Sequence, residues 1–429
     1  MKTPSVWPLA RPILKLVASY EKLLLAILSV VVVISGGFWY RQFSKVDSTP
    51  LGGSYVEGII SNQEEIETLA ARLTRTGLFR FNQTGELENQ LVKSWQVNAE
   101  ATEYRFQLID EVDREQIEND LQTAVDLIGS IEAKLADNGD LVVTSEIANP
   151  NLALLLAQPI FNYGPYKVTK TNPKTTIFTR NPTPGAAEGH LNKIVLHSYD
   201  SELELKSALE KGKLDGALVS NGQTAPENYR LESLALPRYL GVVLNVNKVP
   251  FRDRTTRLNL LTGASPVTSS FTLSVPDVPA HRRLAEALVS DWQAKGHKVS
   301  LQAVSAAEFR EKTLAGHDFQ AALTGLDYGV EVDPYYLWHS SQVRTGNIAE
   351  YKSQSVDQAT TVIRSSTNIA FRYQRLDELH QLLSTEGVLK IVEQEKIDLI
   401  ISERFNFRPG WLLHDPEDRF LAVMNWSER

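Results

Sequence analysis

Hydrophobic and polar residues follow three patterns along this chain. The first is an unbroken apolar run: Leu23–Tyr40 holds 18 residues and no charge. As a helix rising 1.5 Å per residue, that run reaches about 27 Å, close to the ~30 Å hydrocarbon core of a bilayer. The second is alternation with period 2, clearest at residues 103–108 (EYRFQL), which predicts a strand with one buried face. The third is helical spacing, as in Ile66, Leu69, Ala70 and Leu73 of residues 64–77, with Gly77 as the stop. On these patterns strands are predicted at 54–61, 103–108, 141–145, 164–169, 194–197, 240–246, 271–275, 298–304 and 319–324. Helices are predicted at 64–77, 114–135, 201–211, 280–294, 306–315, 372–384 and 389–395, with Gly212 and Gly296 closing two of them. Strands in alternation with helices imply sheets covered by helices, an α/β class. Residues 47–53 (DSTPLGG) form a turn-rich linker ahead of the first strand.

The apolar run admits three readings: a retained membrane anchor, a cleaved signal, or a buried helix. Phe38, Trp39 and Tyr40 make an aromatic belt at one end, and Arg11, Lys15 and Lys22 precede the run. A cleavage site needs a shorter apolar core with small residues at its end; Ser35, Gly36 and Gly37 are small, but bulky aromatics follow at once. The anchor is the expected form, with the N-terminus cytoplasmic and one large extracytoplasmic domain.

Charge sharpens the picture. Of the net −8, residues 1–45 carry +5, which leaves −13 on the rest. So acidic a body excludes a nucleic-acid partner, which needs clustered Lys and Arg. There is no cysteine, which removes disulfides, thiol catalysis, Cys-based zinc sites and thiol-linked lipidation together. Hydrophobic residues at 42% and charged residues at 22% belong to an ordinary globular chain rather than a disordered one. No Gly-x-Ser-x-Gly, His-Glu-x-x-His, Walker loop or dinucleotide fingerprint occurs, and the eight histidines have no paired metal spacing. No enzyme activity, no metal and no cofactor is expected.

The order of short motifs resembles the extracytoplasmic solute-binding proteins of ABC transporters, the oligopeptide/dipeptide-binding type known as family 5. Gly52-Gly53-Ser54-Tyr55-Val56-Glu57-Gly58 is similar to the family's opening strand, and Leu91-Val92-Lys93-Ser94-Trp95-Gln96-Val97 to its "LA-x-SW-x-V". Tyr104, Phe106 and Leu108 match "Y-x-F-x-L", and Gly164-Pro165-Tyr166-Lys167-Val168 matches "GPY-K-V". Ala208–Ala217, Tyr239–Asn247 with Pro250-Phe251-Arg252-Asp253, then Asp333-Pro334, Gly346-Asn347, Tyr351, Val356-Asp357 and Arg372 continue in the family's order. The segments at 108–115 and 255–270 are shorter than the family's, so the chain reads as a trimmed variant, anchored by residues 23–40 where relatives use a lipidated cysteine.

The resemblance implies a two-lobed periplasmic-binding-protein-like fold (type II, peptide-binding class) with a hinge, preceded by one transmembrane helix. The expected divisions are 1–22 cytoplasmic, 23–40 membrane, 41–53 linker, 54–255 lobe 1 and 256–395 lobe 2. Lobe 1 would hold a small subdomain at about 62–158 and be completed by 396–429. The implied function is capture of oligopeptides in an interlobe cleft for an ABC permease in the membrane. The alternatives are a scaffold or sensor that keeps the fold without transport, and a binder of an oligosaccharide or a nickel complex. Within Gly325-Leu326-Asp327-Tyr328, similar to the family's "A-D-Y", Asp327 is the expected partner of a peptide's amino end, with Gly325 and Tyr328 beside it at the ligand; otherwise Asp327 caps a turn. Tyr55, Glu57 and Asn62 are expected to face the cleft, or else to be exposed strand and turn residues. Trp95, Tyr239 and Trp338 are expected to line the ligand or pack the core, and Asp333 to cap the helix that opens at Pro334-Tyr335. If the anchor is retained, intact-mass analysis of protein from cells should find residues 1–40 still present; a chain beginning near residue 38 would establish cleavage.

Overall fold

The computed structural model describes residues 52–429 except 61, 62, 125–128, 130, 221, 344, 412 and 413. The expected span 23–40 and Asn62 lie outside the described residues; among those that are described, no helix is long and apolar enough to cross a membrane. The strands are β1 (Ser54–Ile59), β2 (Phe79–Phe81), β3 (Leu87–Asn89), β4 (Val92–Val97), β5 (Glu103–Leu108), β6 (Glu132–Leu135), β7 (Leu141–Thr144), β8 (Tyr166–Asn172) and β9 (Thr175–Arg180). They continue with β10 (Lys193–Ser198), β11 (Gly216–Val219), β12 (Tyr229–Leu244), β13 (Phe271–Pro276), β14 (Val299–Val304), β15 (Ala321–Asp327), β16 (Leu389–Ser402), β17 (Phe405–Asn406) and β18 (Ser427–Glu428). The longer helices around them include α1 (Gln63–Thr74), α2 (Arg114–Thr123), α3 (Glu202–Glu210), α4 (Pro279–Ala294), α5 (Gln354–Ser365) and α6 (Ile369–Thr385).

Ten strands form one mixed sheet in the order β14-β13-β15-β12-β16-β11-β1-β10-β9-β8. Two long strands run through its middle. Tyr229–Ala235 of β12 pairs with Lys396–Ser402 of β16, and Tyr239–Val243 pairs with Leu389–Gln394, all antiparallel. Between these ladders the register shifts at Leu236-Pro237-Arg238. Pro237 has no N–H to give a ladder, so a bulge is where the strand tolerates it. One end of the pair continues into β11 and β1, the other into β15 and β13. A separate sheet, β4-β5-β7-β6, carries the small subdomain, closed by α2 and by the β2–β3 hairpin.

Local chemistry explains most of these elements. In β5 Tyr104, Phe106 and Leu108 are buried and the residues between them turn outward, as period 2 requires. Asp113 accepts from the Gln116 amide and starts α2; Ser201 does the same for α3 through the Glu204 amide. Two predicted helices are corrected. The helix predicted at 114–135 ends at Thr123, and Glu132–Leu135 is β6, paired antiparallel with β7. Gly129, at φ 84°, supplies the left-handed turn that a continuing helix forbids. The helix predicted at 389–395 is the start of β16, paired there with β12. Both faces of this stretch are covered, Leu389 and Ile391 packing one and Val392 the other, so clean alternation is lost and the apolar spacing mimics a helix.

The core divides by location. Phe79, Phe106, Leu121 and Val143 fill the subdomain. Tyr55, Phe178, Ile401 and Trp426 pack the half that carries β1. In the other half Tyr239, Leu326, Trp338 and Leu376 pack one sheet face under α5 and α6, while Val242, Leu273 and Trp292 pack the opposite face under α4.

Tyr55 and Glu57 do not face a cleft: both are 0% exposed. The Glu57 carboxylate takes the Arg419 Nε–H at 3.0 Å and the Tyr55 hydroxyl at 2.7 Å. Their alternate positions on β1 point inward, and the C-terminal segment folds over them, with Trp426 edge-on to Tyr55 at 5.3 Å. Burial, with Glu57 beside it, raises the Tyr55 pKa, so its hydroxyl keeps its proton and donates. Glu57→Gln strands the buried Arg419 charge and should cost about 3–5 kcal/mol, read as a lower urea midpoint. Glu57→Met with Arg419→Leu should recover most of that loss; equal losses in both variants would show that the ion pair itself carries the stability.

Candidate functional site

An open groove of about 760 Å³ runs along the α4 face of the second half of the sheet. Its floor is Arg238 and Leu240 of β12, Gly325 and Asp327 of β15, and Glu393 and Glu395 of β16. Register puts them there: Arg238 stands opposite Asp327 and Leu240 opposite Gly325, so all four share one face. The N-terminal half of α4 forms the wall with Ala280, His281, Leu284 and Ala287. His281 turns a buried Nδ1 here that has no hydrogen-bond partner.

The edge of β15 beside this wall is open. β13 pairs with β15 only at Ala321 and Ala322, and the chain then leaves through Pro276 toward α4. From Leu323 to Asp327 that edge has no strand partner among the described residues. This stretch lies at the carboxyl end of a strand that runs parallel to β13, where ligands of open α/β sheets are held. Gly325 keeps the floor bare: a Cβ built there meets nothing within 4 Å.

Asp327 closes the groove with its side chain 54% exposed. Its carboxylate accepts the Gly329 amide at 2.9 Å, which is the turn-capping role, and takes His414 Nε2 at 3.0 Å. The other His414 ring nitrogen faces Asp415 at 3.4 Å. With a carboxylate on each side the imidazole carries both protons. The hydrogen bond to Asp327 leads in raising its pKa to about 9, and the same bond holds Asp327 below the usual carboxylate range. Arg238 completes the cluster, reaching Glu395 at 2.8 Å and Asp415 at 3.3 Å.

Of the residues nominated from sequence, only Asp327 and Gly325 meet in this groove with exposed side-chain positions. Tyr239 contributes backbone; its ring lies on the other sheet face, because neighbours along a strand point oppositely. There Tyr239, Tyr328 and Trp338 form a buried cluster with His380, so the expected ligand-lining roles of Tyr239, Tyr328 and Trp338 are corrected to core packing. Trp338 Nε1 donates to the Tyr328 hydroxyl at 3.1 Å, which therefore donates its own proton to His380 Nε2 at 2.8 Å. Burial pushes the His380 pKa down to about 4, which keeps that nitrogen free to accept. Trp95 stacks on Tyr104 in the subdomain, with centroids 6.3 Å apart. Asp333 accepts the Tyr335 amide at 3.0 Å, as a helix cap does, and also binds Arg364 at 2.8 Å. The sequence reading missed Arg238, Glu393, Glu395 and His414. Glu393 and Glu395 lay in the stretch read as helix, and His414 stands 87 residues from Asp327, so no local signal marks it.

No family model matches the chain, and no curated protein matches it. Solved structures do. MppA, a periplasmic murein tripeptide-binding protein in its unliganded open form, aligns with a TM-score of 0.65 at 14% identity over 89% of this chain and 99% of its own. A nickel ABC transporter protein from Bacillus halodurans aligns at 0.64 and 12% identity over 86% and 98%. AppA, a putative peptide-binding protein from Clostridium difficile, aligns at 0.63 and 13% over 87% and 100%. At such identities the likeness is one of fold: this chain has the α/β periplasmic-binding-protein-like fold of ABC-transporter substrate-binding proteins.

The His414–Asp327 contact is pH-dependent in a defined direction. With the folded pKa of His414 at about 9 against an ordinary 6.5, its contribution is full below about 6.5 and is lost as pH rises through about 9. On the acid side it fails as pH falls through the lowered pKa of Asp327. Because Asp327 is half in solvent, the effect is small, on the order of 1 °C in melting temperature. Wild type should melt above His414→Gln by that margin at pH 6 and match it at pH 9.5; an unchanged gap at pH 9.5 would show that the proton is not on His414.

Proposed function

We propose that this domain captures oligopeptides in the groove beside β15, outside the cell, and delivers them to an ABC permease. One observation carries the reading: a strand edge open from Leu323 to Asp327 that ends on a carboxylate. An extended peptide adds to such an edge through its backbone, which is the same in every sequence, while its side chains lie in the hydrated groove. Its ammonium takes the place of His414 on Asp327. The two halves of the sheet act as lobes that close about Leu236-Pro237-Arg238, and residues 23–40 hold the domain at the membrane. No cofactor and no covalent step is involved. Two of the neighbours described above are peptide-binding by name and one is a nickel transporter protein, so the choice of peptide rests on the strand edge and the carboxylate of Asp327.

A second reading, a tethered scaffold that keeps the fold without transport, is favoured by one observation: polar contacts already join the small subdomain to α6 and to the C-terminal segment. Arg372 Nη2 donates to Asn151 Oδ1 at 2.8 Å, Trp411 Nε1 to the Gln83 carbonyl at 3.1 Å, and the Ile369 amide to the Gly85 carbonyl at 2.8 Å. Native mass spectrometry of the full-length protein decides between them. Peptide adducts are expected on the wild type, weakened about tenfold or more by Asp327→Asn through loss of a charged hydrogen bond. Gly325→Leu should abolish them without lowering the melting temperature, since its side chain enters open space. No bound mass, and no thermal shift with a peptide library, would leave the scaffold reading standing.

A further inference from the structure

A second cavity, of about 260 Å³, lies between the end of α1, the β2–β3 hairpin and residues 408–411 and 421–425; it shares no lining residue with the groove. Its charge sets it apart in an acidic chain. Arg72, Arg75, Arg80 and Arg408 line it, and no Asp or Glu does. Arg72 is taken by Asp418 at 2.7 Å. Arg80 meets Glu88 at 3.1 Å across solvent, where such a pair is weak. The guanidinium groups of Arg75 and Arg408 are exposed and have no partner among the described residues, nor have the side-chain amides of Gln83 and Asn425.

The rest of the wall is apolar and held in place. Phe79 is buried beneath it, Phe81 is half-buried, and the Trp411 ring is fixed by its bond to the Gln83 carbonyl. Unpaired guanidinium forks suit planar or tetrahedral oxyanions, and rigid aromatic walls suit a flat body. The volume falls just below the 300–1,000 Å³ typical of drug-sized ligands, which excludes a protein segment and favours a small molecule.

We propose that this cavity is a binding site, separate from the groove, for a small organic anion: a carboxylate or phosphate held by Arg75 and Arg408, on an aromatic body lying against Phe81 and Trp411. The site is independent of the peptide reading. Calorimetric titration of the full-length protein with benzoate and with phenyl phosphate tests it, each arm reporting one anion type. At least one probe should bind saturably, and Arg75→Gln or Arg408→Gln should weaken it about tenfold each. Both side chains are exposed and unpaired, so the variants should melt with the wild type. Gly325→Leu, which fills the groove, should leave this binding unchanged. Three results would overturn the proposal: no saturable binding of either probe, binding that survives the double Arg75→Gln/Arg408→Gln variant, or inorganic phosphate binding as tightly as phenyl phosphate.

Discussion

Two antiparallel strands, β12 and β16, hold the architecture together, since they run through both halves of the main sheet. Their pairing shifts register at Leu236-Pro237-Arg238 and again between Leu240 and Gly241, and the groove sits beside both shifts. In the unbroken β12–β15 ladder Arg238 stands opposite Asp327. On the other side of β12, Leu240 pairs with Glu393, which brings Glu393 and Glu395 to the same groove. The neighbouring β13 then ends early, and β15 is left with an open edge at the point where charge collects. Geometry and electrostatics at the site thus meet where β12 passes between β15 and β16.

The contacts that join the halves differ in kind from those that hold each half. Glu57 and Arg419 are sealed from water, and separating them leaves a charge without solvent. His414–Asp327 and Arg238–Asp415 are partly solvated, so water replaces each partner when they part. Arg372 is the intermediate case: fully buried, it donates to the carbonyls of Ser366, Glu331 and Arg364 as well as to Asn151, and burial lowers its pKa to about 10. Three of those acceptors belong to its own half, so it loses one bond, not four, if the subdomain moves away. Such an arrangement suits two bodies that remain individually rigid while the surface between them opens.

Fold was more legible in the sequence than site. Alternation marked β5 and β13, and the cap residues Asp113 and Ser201 begin helices where local hydrogen bonding demands. Reading failed where tertiary pairing overruled spacing, at Glu132–Leu135 and Leu389–Glu395, both of which became strands. For the site, the motif around Asp327 marks the end of β15 that borders the groove, while its aromatic neighbours turn inward. Tyr328 and Trp338 serve the core through a hydrogen bond that only the folded packing creates.

What the sequence by itself determined is local: an 18-residue uncharged run, a cysteine-free acidic body, strands alternating with helices, and the caps and glycine turns that bound them. These depend on residues within a few positions of one another, where spacing and side-chain chemistry are sufficient. Only the tertiary structure decided which face each strand presents and which charges meet. Glu57 finds Arg419 362 residues away and Asp327 finds His414 87 residues away. Arg75 and Arg408 reach one cavity from opposite ends of the described chain. Such encounters are set by strand order and register, which no local pattern encodes.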